Sequence, residues 1–391
     1  MSKLGLHVSS GDRFGFGDLL KKCADAKSPV PVIFSVGQDV WPDVQKYSPS
    51  TKIIYRVQPS TGAKDGPQDA YKGDAVQSAR AWMALVMPNW AKNKANYYAP
   101  LNEFDPGDLA GYRWLNDFTI ECMKIAEAAG YKLALYAFST GNPRDDVGFV
   151  AALKLLAEAI QGANPLYKTG SAEEKWYQLI PSLQHAKANG HILLLHEYGL
   201  ASKAANGGPE SSLRSSAPYM ATRYRRSLSF LKQFNADPPV VISEASAGVG
   251  GLSIGQDAWL ADAEWYDSEL MKDPGVLGCC LYQAGGAENI KAIFPRLADY
   301  ISKTPDNQSP TFPTVKMKVV ATPLMNVRRD SSTKAMVAGQ VRTGRIVYCL
   351  TYVSADADNC HWRRISDNPH DEFSGYWLAE TQGTAHYLVE A

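Results

Sequence analysis

Eight short apolar runs, separated by longer amphipathic stretches, constrain the fold of residues 1–302 more than any other feature of this sequence. The runs show little alternation between apolar and polar side chains. Strands that are buried on both faces have this pattern, as in parallel sheets that are covered by helices. The predicted strands are 3–10, 30–37, 52–59, 97–103, 132–143, 191–199, 238–248 and 275–286.

The stretches between these strands have helical patterns. The clearest, 111–130, ends at a glycine, as helix C-termini commonly do. Further helices are predicted at 17–26, 68–87, 146–160, 172–189 and 216–234, and on each side of the eighth strand. Eight strands, each followed by a helix, predict an α/β fold of the (β/α)8 TIM-barrel type. A doubly wound open sheet is the alternative, but residues 9–18 lack the G-x-G-x-x-G spacing that usually follows its first strand.

The sequence changes character after residue 302. Residues 303–315 are rich in Pro, Ser and Thr, which predicts a linker. Residues 316–391 contain short strand-like runs and turns, and they predict a small all-β domain. The predicted strands of this domain are 315–322, 335–341, 345–353, 361–365 and 375–380.

The overall composition argues against two classes of partner. Basic and acidic side chains number 40 each, so the chain has no net charge to attract nucleic acid or an anionic membrane. No apolar run approaches the roughly 18 residues needed to span a bilayer. The start, MSKLGLHVSS, lacks the pattern of a signal peptide. The compartment is therefore unknown, and secreted or phage-released action stays open.

The six cysteines do not form a disulfide framework at this chain length. Four lie in apolar segments, which is typical of buried thiols, namely Cys23, Cys122, Cys279 and Cys280. Cys349 and Cys360 could pair. No Cys/His cluster has zinc-site spacing, and neither a metal nor another cofactor is predicted.

Polar and charged side chains occur near the predicted carboxyl ends of the strands, the face on which barrel active sites are built. They are His7, Arg56, Asn102, Glu103, His196, Tyr198, Glu244, Tyr282 and Gln283. Ionised carboxylates rarely occupy such positions without a partner or a function. Glu103 and Glu244 are therefore the candidate catalytic residues, although either could instead pair with Arg56 or cap the following helix.

Paired carboxylates suit the hydrolysis of glycosidic bonds. One carboxylic acid protonates the leaving oxygen, and a second carboxylate attacks the anomeric carbon or activates water. Glu197 has neighbours that face the pocket, so its own side chain is expected to point away and to be structural. His7 could line the pocket or be a core histidine. Trp41, after the second strand, could stack on a sugar face or simply pack.

Asn-Glu at the tip of the fourth strand and Glu at the tip of the seventh resemble the pattern of clan A glycoside hydrolases, which are retaining (β/α)8 enzymes. The resemblance covers residues 1–302 in strand order and only a few residues in identity. It implies that Glu103 is the acid/base, that Glu244 is the nucleophile and that Asn102 bonds the sugar 2-hydroxyl. The H-x-Y of the sixth strand is similar to that of cellulase- and mannanase-type members. It implies that Tyr198 holds the nucleophile and that His196 lines the sugar site.

Three positions depart from the clan pattern. Many members carry Trp on the eighth strand, where this chain has Tyr282 followed by Gln283. The clan's arginine usually comes from an earlier strand than the one that carries Arg56. The commoner Pro after Asn-Glu is Phe104 here.

Charge should separate the roles of the two glutamates. Tyr198 and Arg56 near Glu244 would favour its ionised form, as a nucleophile requires. Glu103, if kept away from such partners, would keep its proton, as an acid requires.

Residues 316–391 resemble bacterial SH3-like domains. The matching features are Met325–Arg328 with its polar turn, the turn AGQVRTGR, a Trp-containing strand and a closing G-Y-W-L. The resemblance implies a domain that binds cell-wall peptide or polysaccharide, or one that is only structural. By association, it suggests a bacterial or phage-associated wall glycan as the substrate of the barrel.

The predicted function is a retaining glycoside hydrolase that acts on a poly- or oligosaccharide. A catalytically inactive carbohydrate-binding or scaffold barrel is the alternative, and it predicts that Gln at 103 and 244 leaves sugar binding intact. A metal-dependent hydrolase on the same barrel would need clustered His and Asp ligands. The sequence has seven histidines and no H-x-H pair on its first strand.

Overall fold

A computed structural model describes residues 1–57, 73–146, 166–304 and parts of 314–390. The last part comprises 314–321, 324–328, 333, 337–355, 360–365, 377–382 and 385–390. The chain divides into two compact units, Met1–Asp306 and Asn307–Ala391. Most of the predicted linker lies outside the described residues, so its boundaries stay a prediction.

The first unit is an eight-stranded parallel α/β barrel, and the predicted fold is confirmed. Its strands β1–β8 are Leu4–Val8, Val32–Val36, Lys52–Arg56, Tyr97–Ala99, Ala134–Phe138, Ile192–Gly199, Val240–Ala247 and Val276–Ala284. They pair in the order β4-β3-β2-β1-β8-β7-β6-β5. A parallel bridge between Tyr98 and Leu133 joins the two end strands. The alternative of an open doubly wound sheet was therefore wrong.

Helices lie between successive strands over most of the described barrel. They are α1 Phe16–Asp25, α2 Trp41–Tyr47, α3 Ala75–Trp90, α4 Leu109–Ala128, α5 Ala172–Gln178, α6 Ile180–Asn189, α7 Leu213–Ser216, α8 Tyr224–Lys232, α9 Gln256–Leu270 and α10 Phe294–Lys303. None of these described helices combines the length and the apolar character that crossing a membrane requires.

Two predicted helices differ in the structure. Residues 172–189, predicted as one helix, form the two helices α5 and α6. The break occurs where Pro181, which lacks an N–H, stands in the first turn of α6. The helix predicted at 216–234 is shorter in the structure, where only α8 is helical and an irregular segment precedes it. The predicted helix 146–160 falls almost entirely outside the described residues.

Apolar side chains form two layers around the barrel strands. The inner layer comes from alternate strand residues, including Phe34 and Leu194. Their neighbours in sequence, Ile33 and Leu193, belong to the outer layer between strands and helices. Successive side chains of a strand point to opposite faces. A polar residue at a strand tip therefore faces either the barrel mouth or the helices.

The second unit is antiparallel, as an all-β domain predicts. Its described strands β9–β16 are Thr314–Val319, Leu324–Arg328, Val337–Arg342, Ile346–Ala355, Cys360–Ile365, Trp377–Gln382, Ala385–His386 and Leu388–Glu390. They pair in the order β11-β10-β14-β13-β12-β9-β16, with β15 against β14. The sequence predicted five strands and missed three of those described: the two short C-terminal strands β15 and β16, and β10, whose residues Met325–Arg328 it assigned to a turn motif. The likeness to SH3-like domains stays a prediction, and Cys349 and Cys360 are both buried thiols.

Candidate active site

Three of the described barrel strands carry an extra residue at the level of the candidate side chains, so the pairing register shifts there. The extra residues are Ala137 on β5, Ser243 on β7 next to Glu244, and one residue between Leu281 and Ala284 on β8, opposite His7 of β1. Bulges of this kind bend a strand and re-aim its side chains, and they are frequent next to active sites. Their position at the barrel mouth is typical of an active site in which bulges orient the side chains.

Glu103 leaves the tip of the fourth strand in an uncommon backbone conformation. Its φ is +51°, in the left-handed region that few residues other than glycine adopt. Its N–H donates to the carbonyl oxygen of Ala137 at 2.9 Å, which ties it to the irregular part of β5. The side chain is 39% exposed, so a ligand in the barrel mouth could reach its carboxylate.

The turn that follows Glu103 is fixed by its own side chains. Asp105 accepts the N–H of Gly107 at 2.9 Å and the hydroxyl of Tyr112 at 2.7 Å. Asp108 then caps α4 by accepting the N–H of Gly111 at 2.7 Å. The segment EFDPGD thus forms a braced connection that holds the Glu103 backbone in place.

Glu244 is buried on β7 among polar side chains. The Tyr198 hydroxyl donates to its Oε2 at 2.8 Å. Nδ1 of His196 lies 3.5 Å from the same oxygen, and Nε2 of His7 lies 3.5 Å from Oε1. Tyr198 therefore holds the carboxylate in one orientation, as the resemblance implied.

These neighbours control the charge of Glu244. Burial by itself would raise the pKa of this carboxyl, but His196, His7 and Arg56 together outweigh it and hold the pKa well below its ordinary value. Burial and the adjacent Glu244 charge raise the pKa of Tyr198, so its hydroxyl stays a donor. Glu244 is therefore a carboxylate at neutral pH.

His196 stands between the two candidate glutamates. Its Nδ1 lies 2.9 Å from Oε1 of Glu103 and 3.5 Å from Oε2 of Glu244. One oxygen of each carboxylate and one nitrogen of the imidazole all lie within 4.8 Å of one another. The sequence analysis made the acid role of Glu103 conditional on its standing away from partners that favour the ionised form, and the structure places the His196 ring against it.

Tyr282 forms a wall of the mouth beside the nucleophile candidate. Its ring centroid lies 4.8 Å from that of His7 and 5.9 Å from that of Tyr198. Burial and the charge of Glu244 raise the pKa of Tyr282 to about 12. The ring is half-buried, so one part of it can face a ligand.

The remaining candidates are placed less centrally. Asn102 is buried immediately before Glu103. Arg56 ends β3, and its guanidinium carbon lies 5.8 Å from the ring centroid of Phe34. Trp41 is the first residue of α2 and packs, partly buried, against the outer layer. Among the described residues, no measured contact joins Trp41 to either glutamate.

Glu197 points away from the mouth, in agreement with strand parity. Its carboxylate accepts the N–H groups of Thr222 at 2.5 Å and Tyr224 at 3.0 Å, at the start of α8. It also accepts the Tyr266 hydroxyl at 2.5 Å. Burial raises the pKa of Glu197 to about 7, although these three hydrogen bonds act to lower it. Glu197 therefore fixes α8 to β6 and takes no part in the mouth.

This environment predicts a pH-dependent stability. The pKa of Glu197 is higher in the folded protein than its ordinary value of 4.5, so its contribution is fully present below about pH 4.5 and is lost as the pH rises through about 7. Relative to Glu197→Gln, the free energy of unfolding of the wild type should fall by about 2–3 kcal/mol between roughly pH 5 and 8. Urea denaturation of both proteins measures this difference. A difference that changes in the opposite direction would contradict the assignment.

A second cluster of histidines and a glutamate lies near the amino end of β6. Nε2 of His185 and Nε2 of His191 each lie 2.8 Å from Oε1 of Glu127. Nδ1 of His191 accepts the N–H of Leu133 at 2.7 Å, so the neutral ring carries its hydrogen on Nε2. A metal ion on Nε2 would have to displace that hydrogen. The cluster therefore fits a hydrogen-bonded contact between α4, α6 and β6 better than a metal site.

The sequence interpretation missed Glu288, in the loop after β8. Its Oε2 accepts the side-chain N–H of Gln283 at 2.8 Å. The available signal was a carboxylate just after the glycines that follow the eighth strand. The direction of a loop side chain cannot be inferred from strand alternation, so the signal did not place Glu288 in the mouth.

The chain was compared with protein families, curated proteins and solved structures. No protein-family model matches the sequence, and no curated protein matches it. Among solved structures, an endo-β-mannanase/endo-β-glucanase of Prevotella bryantii is 13% identical with a TM-score of 0.43, covering 77% of this chain and 48% of that one. This chain thus spans about half the length of that protein.

Two further structures have similar scores. A family 39 glycoside hydrolase from Bacteroides cellulosilyticus is 12% identical with a TM-score of 0.40, covering 99% of this chain and 78% of that one. A β-1,3-glucanase and allergen of Cryptomeria japonica pollen is 14% identical with a TM-score of 0.38, covering 72% and 89%. Likeness at these identities and scores does not decide function, which has to be argued from the residues of the barrel mouth.

Proposed function

We propose that this chain is a retaining glycoside hydrolase, with Glu244 as nucleophile and Glu103 as acid/base. The observation that carries the proposal is the arrangement of the two glutamates. One carboxylate oxygen of each glutamate and one nitrogen of His196 lie within 4.8 Å of one another, and Tyr198 orients the buried carboxylate of Glu244. Retaining enzymes place their two carboxyl groups about 5–5.5 Å apart, whereas inverting enzymes need about 6.5–9.5 Å to admit water.

In the first step, the Glu244 carboxylate attacks the anomeric carbon of the sugar. The bond from that carbon to the glycosidic oxygen breaks, and Glu103 gives its proton to the departing oxygen. A neutral alcohol leaves, the sugar is esterified to Glu244, and the negative charge has moved to Glu103. The ionised state of Glu244 and the exposure of Glu103 support these two roles.

In the second step, Glu103 acts as a base. It takes a proton from water as the water oxygen attacks the anomeric carbon and displaces Glu244. Two inversions give a product with the starting anomeric configuration. Both carboxyl groups return to their initial protonation states.

His196 is placed to serve both steps. Negative charge alternates between Glu244 and Glu103, and Nδ1 of His196 lies near an oxygen of each. An N–H at this atom stabilises whichever carboxylate is charged.

Substitution of His196 separates this role from packing. The amide nitrogen of Asn can occupy the position of Nδ1, whereas that of Gln reaches the position of Nε2. We expect His196→Asn to keep most of the activity and His196→Gln to lose about 10²-fold in kcat/KM. Initial rates, with melting temperatures of both variants, provide the comparison. Equal losses in the two variants would show that the ring acts only by filling space.

The proposed activity is tested by product stereochemistry. A panel of chromogenic aryl glycosides and plant and bacterial polysaccharides identifies a substrate, and proton NMR then follows the first-formed anomer. Retention is expected. A product of inverted configuration would contradict the mechanism. Binding without turnover across the panel would favour the inactive carbohydrate-binding or scaffold barrel.

The proposal specifies the substrate only as a carbohydrate, and it assigns no ligand to the second unit from the structure. A carbohydrate is the substrate class that this chemistry requires, and the proposed steps use neither metal nor cofactor. Recognition of a cell-wall glycan or peptide by residues 316–391 is supported only by the sequence resemblance, and it stays a prediction.

A further inference from the structure

We propose that Glu288 and Tyr282 together form a sugar-binding subsite that selects an uncharged sugar unit and rejects an acidic one. The inference rests on the proposed function, because it concerns the substrate of the same barrel mouth. It adds to the mouth a further acidic side chain, Glu288, which the two-step mechanism does not use.

The position of Glu288 is fixed by a buried amide. Gln283, on β8, is 5% exposed, and its side-chain N–H donates to Oε2 of Glu288 at 2.8 Å. The backbone carbonyl of Gln283 accepts the N–H of Ile290 at 2.9 Å, which closes the loop around Glu288. A charged side chain that is held in this way is already oriented before a ligand arrives.

Gly250, in the loop after β7, lies against both members of the subsite. A Cβ at this glycine would stand 3.0 Å from Cγ of Glu288 and 3.0 Å from Cδ1 of Tyr282. The side chain of Glu288 and the edge of the Tyr282 ring thus pack against the same glycine and lie close to each other. The φ of Gly250 is +126°, which side-chain-bearing residues rarely adopt.

Tyr282 connects Glu288 to the proposed catalytic residues. Its ring packs against His7 and Tyr198, and both of those side chains reach Glu244. A sugar in contact with Tyr282 is therefore adjacent to, or at, the reacting centre.

The chemistry of the pair indicates the ligand. An aromatic ring packs on the apolar C–H face of a pyranose, and a carboxylate accepts hydrogen bonds from its hydroxyl groups. In the proposed mechanism Glu103 is protonated when the substrate binds, so a uronic acid in the mouth would meet two carboxylates, those of Glu244 and Glu288. A neutral hexose avoids that repulsion.

Binding to an inactive protein tests the subsite separately from turnover. In a full-length Glu103→Gln background, calorimetry compares β-1,4-mannotriose with the β-1,4-linked trimer of mannuronic acid, and cellotriose with its uronate counterpart. Each pair differs only at C6. We expect a neutral trimer to bind, and added Glu288→Gln to weaken it by about tenfold and to reduce the preference over the uronate.

Two controls accompany this measurement. Asp25→Asn removes one negative charge at the exposed end of helix α1, where Asp25 pairs with Lys21, and should leave binding unchanged. Gly250→Ala should weaken the neutral trimer without removing any charge, with a melting temperature to confirm folding.

The outcomes distinguish the subsite from the catalytic proposal. Tight uronate binding, no binding of any trimer, or neutral binding that is indifferent to Glu288→Gln would each overturn the subsite. The last result, together with turnover by the wild type, would leave the catalytic roles intact. Binding that depends on Glu288, in a wild type that hydrolyses nothing, would support the subsite and contradict the hydrolase.

Discussion

Replacement of Glu244 by Gln should abolish turnover, with kcat falling by at least about four orders of magnitude. The amide cannot form the ester intermediate, and it removes the charge that Tyr198, His7 and His196 surround. The side chain keeps its volume, so the fold should persist. Initial rates on the best substrate of the panel, with circular dichroism and a melting curve, give the result.

A matched control isolates the site from general effects of charge removal. Glu121→Gln changes a carboxylate on α4 that pairs with exposed Arg80. This variant should retain wild-type kinetics. Residual activity of Glu244→Gln within about tenfold of the wild type, after contamination is excluded, would remove Glu244 from the nucleophile role.

Replacement of Glu103 by Ala should have an effect that depends on the leaving group. Loss of a general acid costs about 10²–10⁴-fold for substrates whose leaving group needs a proton. A dinitrophenyl glycoside needs none, so it should form the ester with Glu244 quickly and then stall. Added azide requires no base, and it should attack the anomeric carbon, displace Glu244 and restore turnover.

The configuration of the azide product provides the decisive comparison. Glu103→Ala should give a glycosyl azide of retained configuration, because two displacements still occur. Glu244→Ala should give the inverted azide, because azide then replaces the nucleophile itself. Exchange of these two outcomes would mean that the roles of the glutamates are reversed.

Strand positions and the facing of side chains could be predicted from the sequence. The apolar runs are long enough to mark eight buried strands, and period-two alternation on β6 placed Tyr198 towards the mouth and Glu197 towards the helices. Both properties are local, so a single sequence carries them. The same reasoning placed Glu103 and Glu244 at tips of strands that share one face.

The contacts that give the site its chemistry could not be predicted. His196 lies opposite Glu244 because β7 carries one extra residue, Ser243, where it pairs with β6. The exact place of Glu288 depends on a loop closed by Gln283. Such features depend on tertiary contacts that leave no periodic trace in the sequence.

Errors at helix and strand ends have local causes. Pro181 divided one predicted helix because its ring fits only the first turn. Strand β10 was mistaken for a turn, because Asn326 and Arg328 are polar and the strand has exposed positions on one face. Alternation across five residues is a weak signal in a small domain.

Trapping of the ester on Glu244 tests the central claim most directly. An aryl 2-deoxy-2-fluoroglycoside of the sugar that the panel identifies forms the ester faster than the ester hydrolyses. Intact-mass spectrometry should show one added fluoroglycosyl group, and peptide mapping should place it on Glu244. A label on another carboxylate, or hydrolysis of the parent substrate with no label and an inverted product, would contradict the double-displacement mechanism.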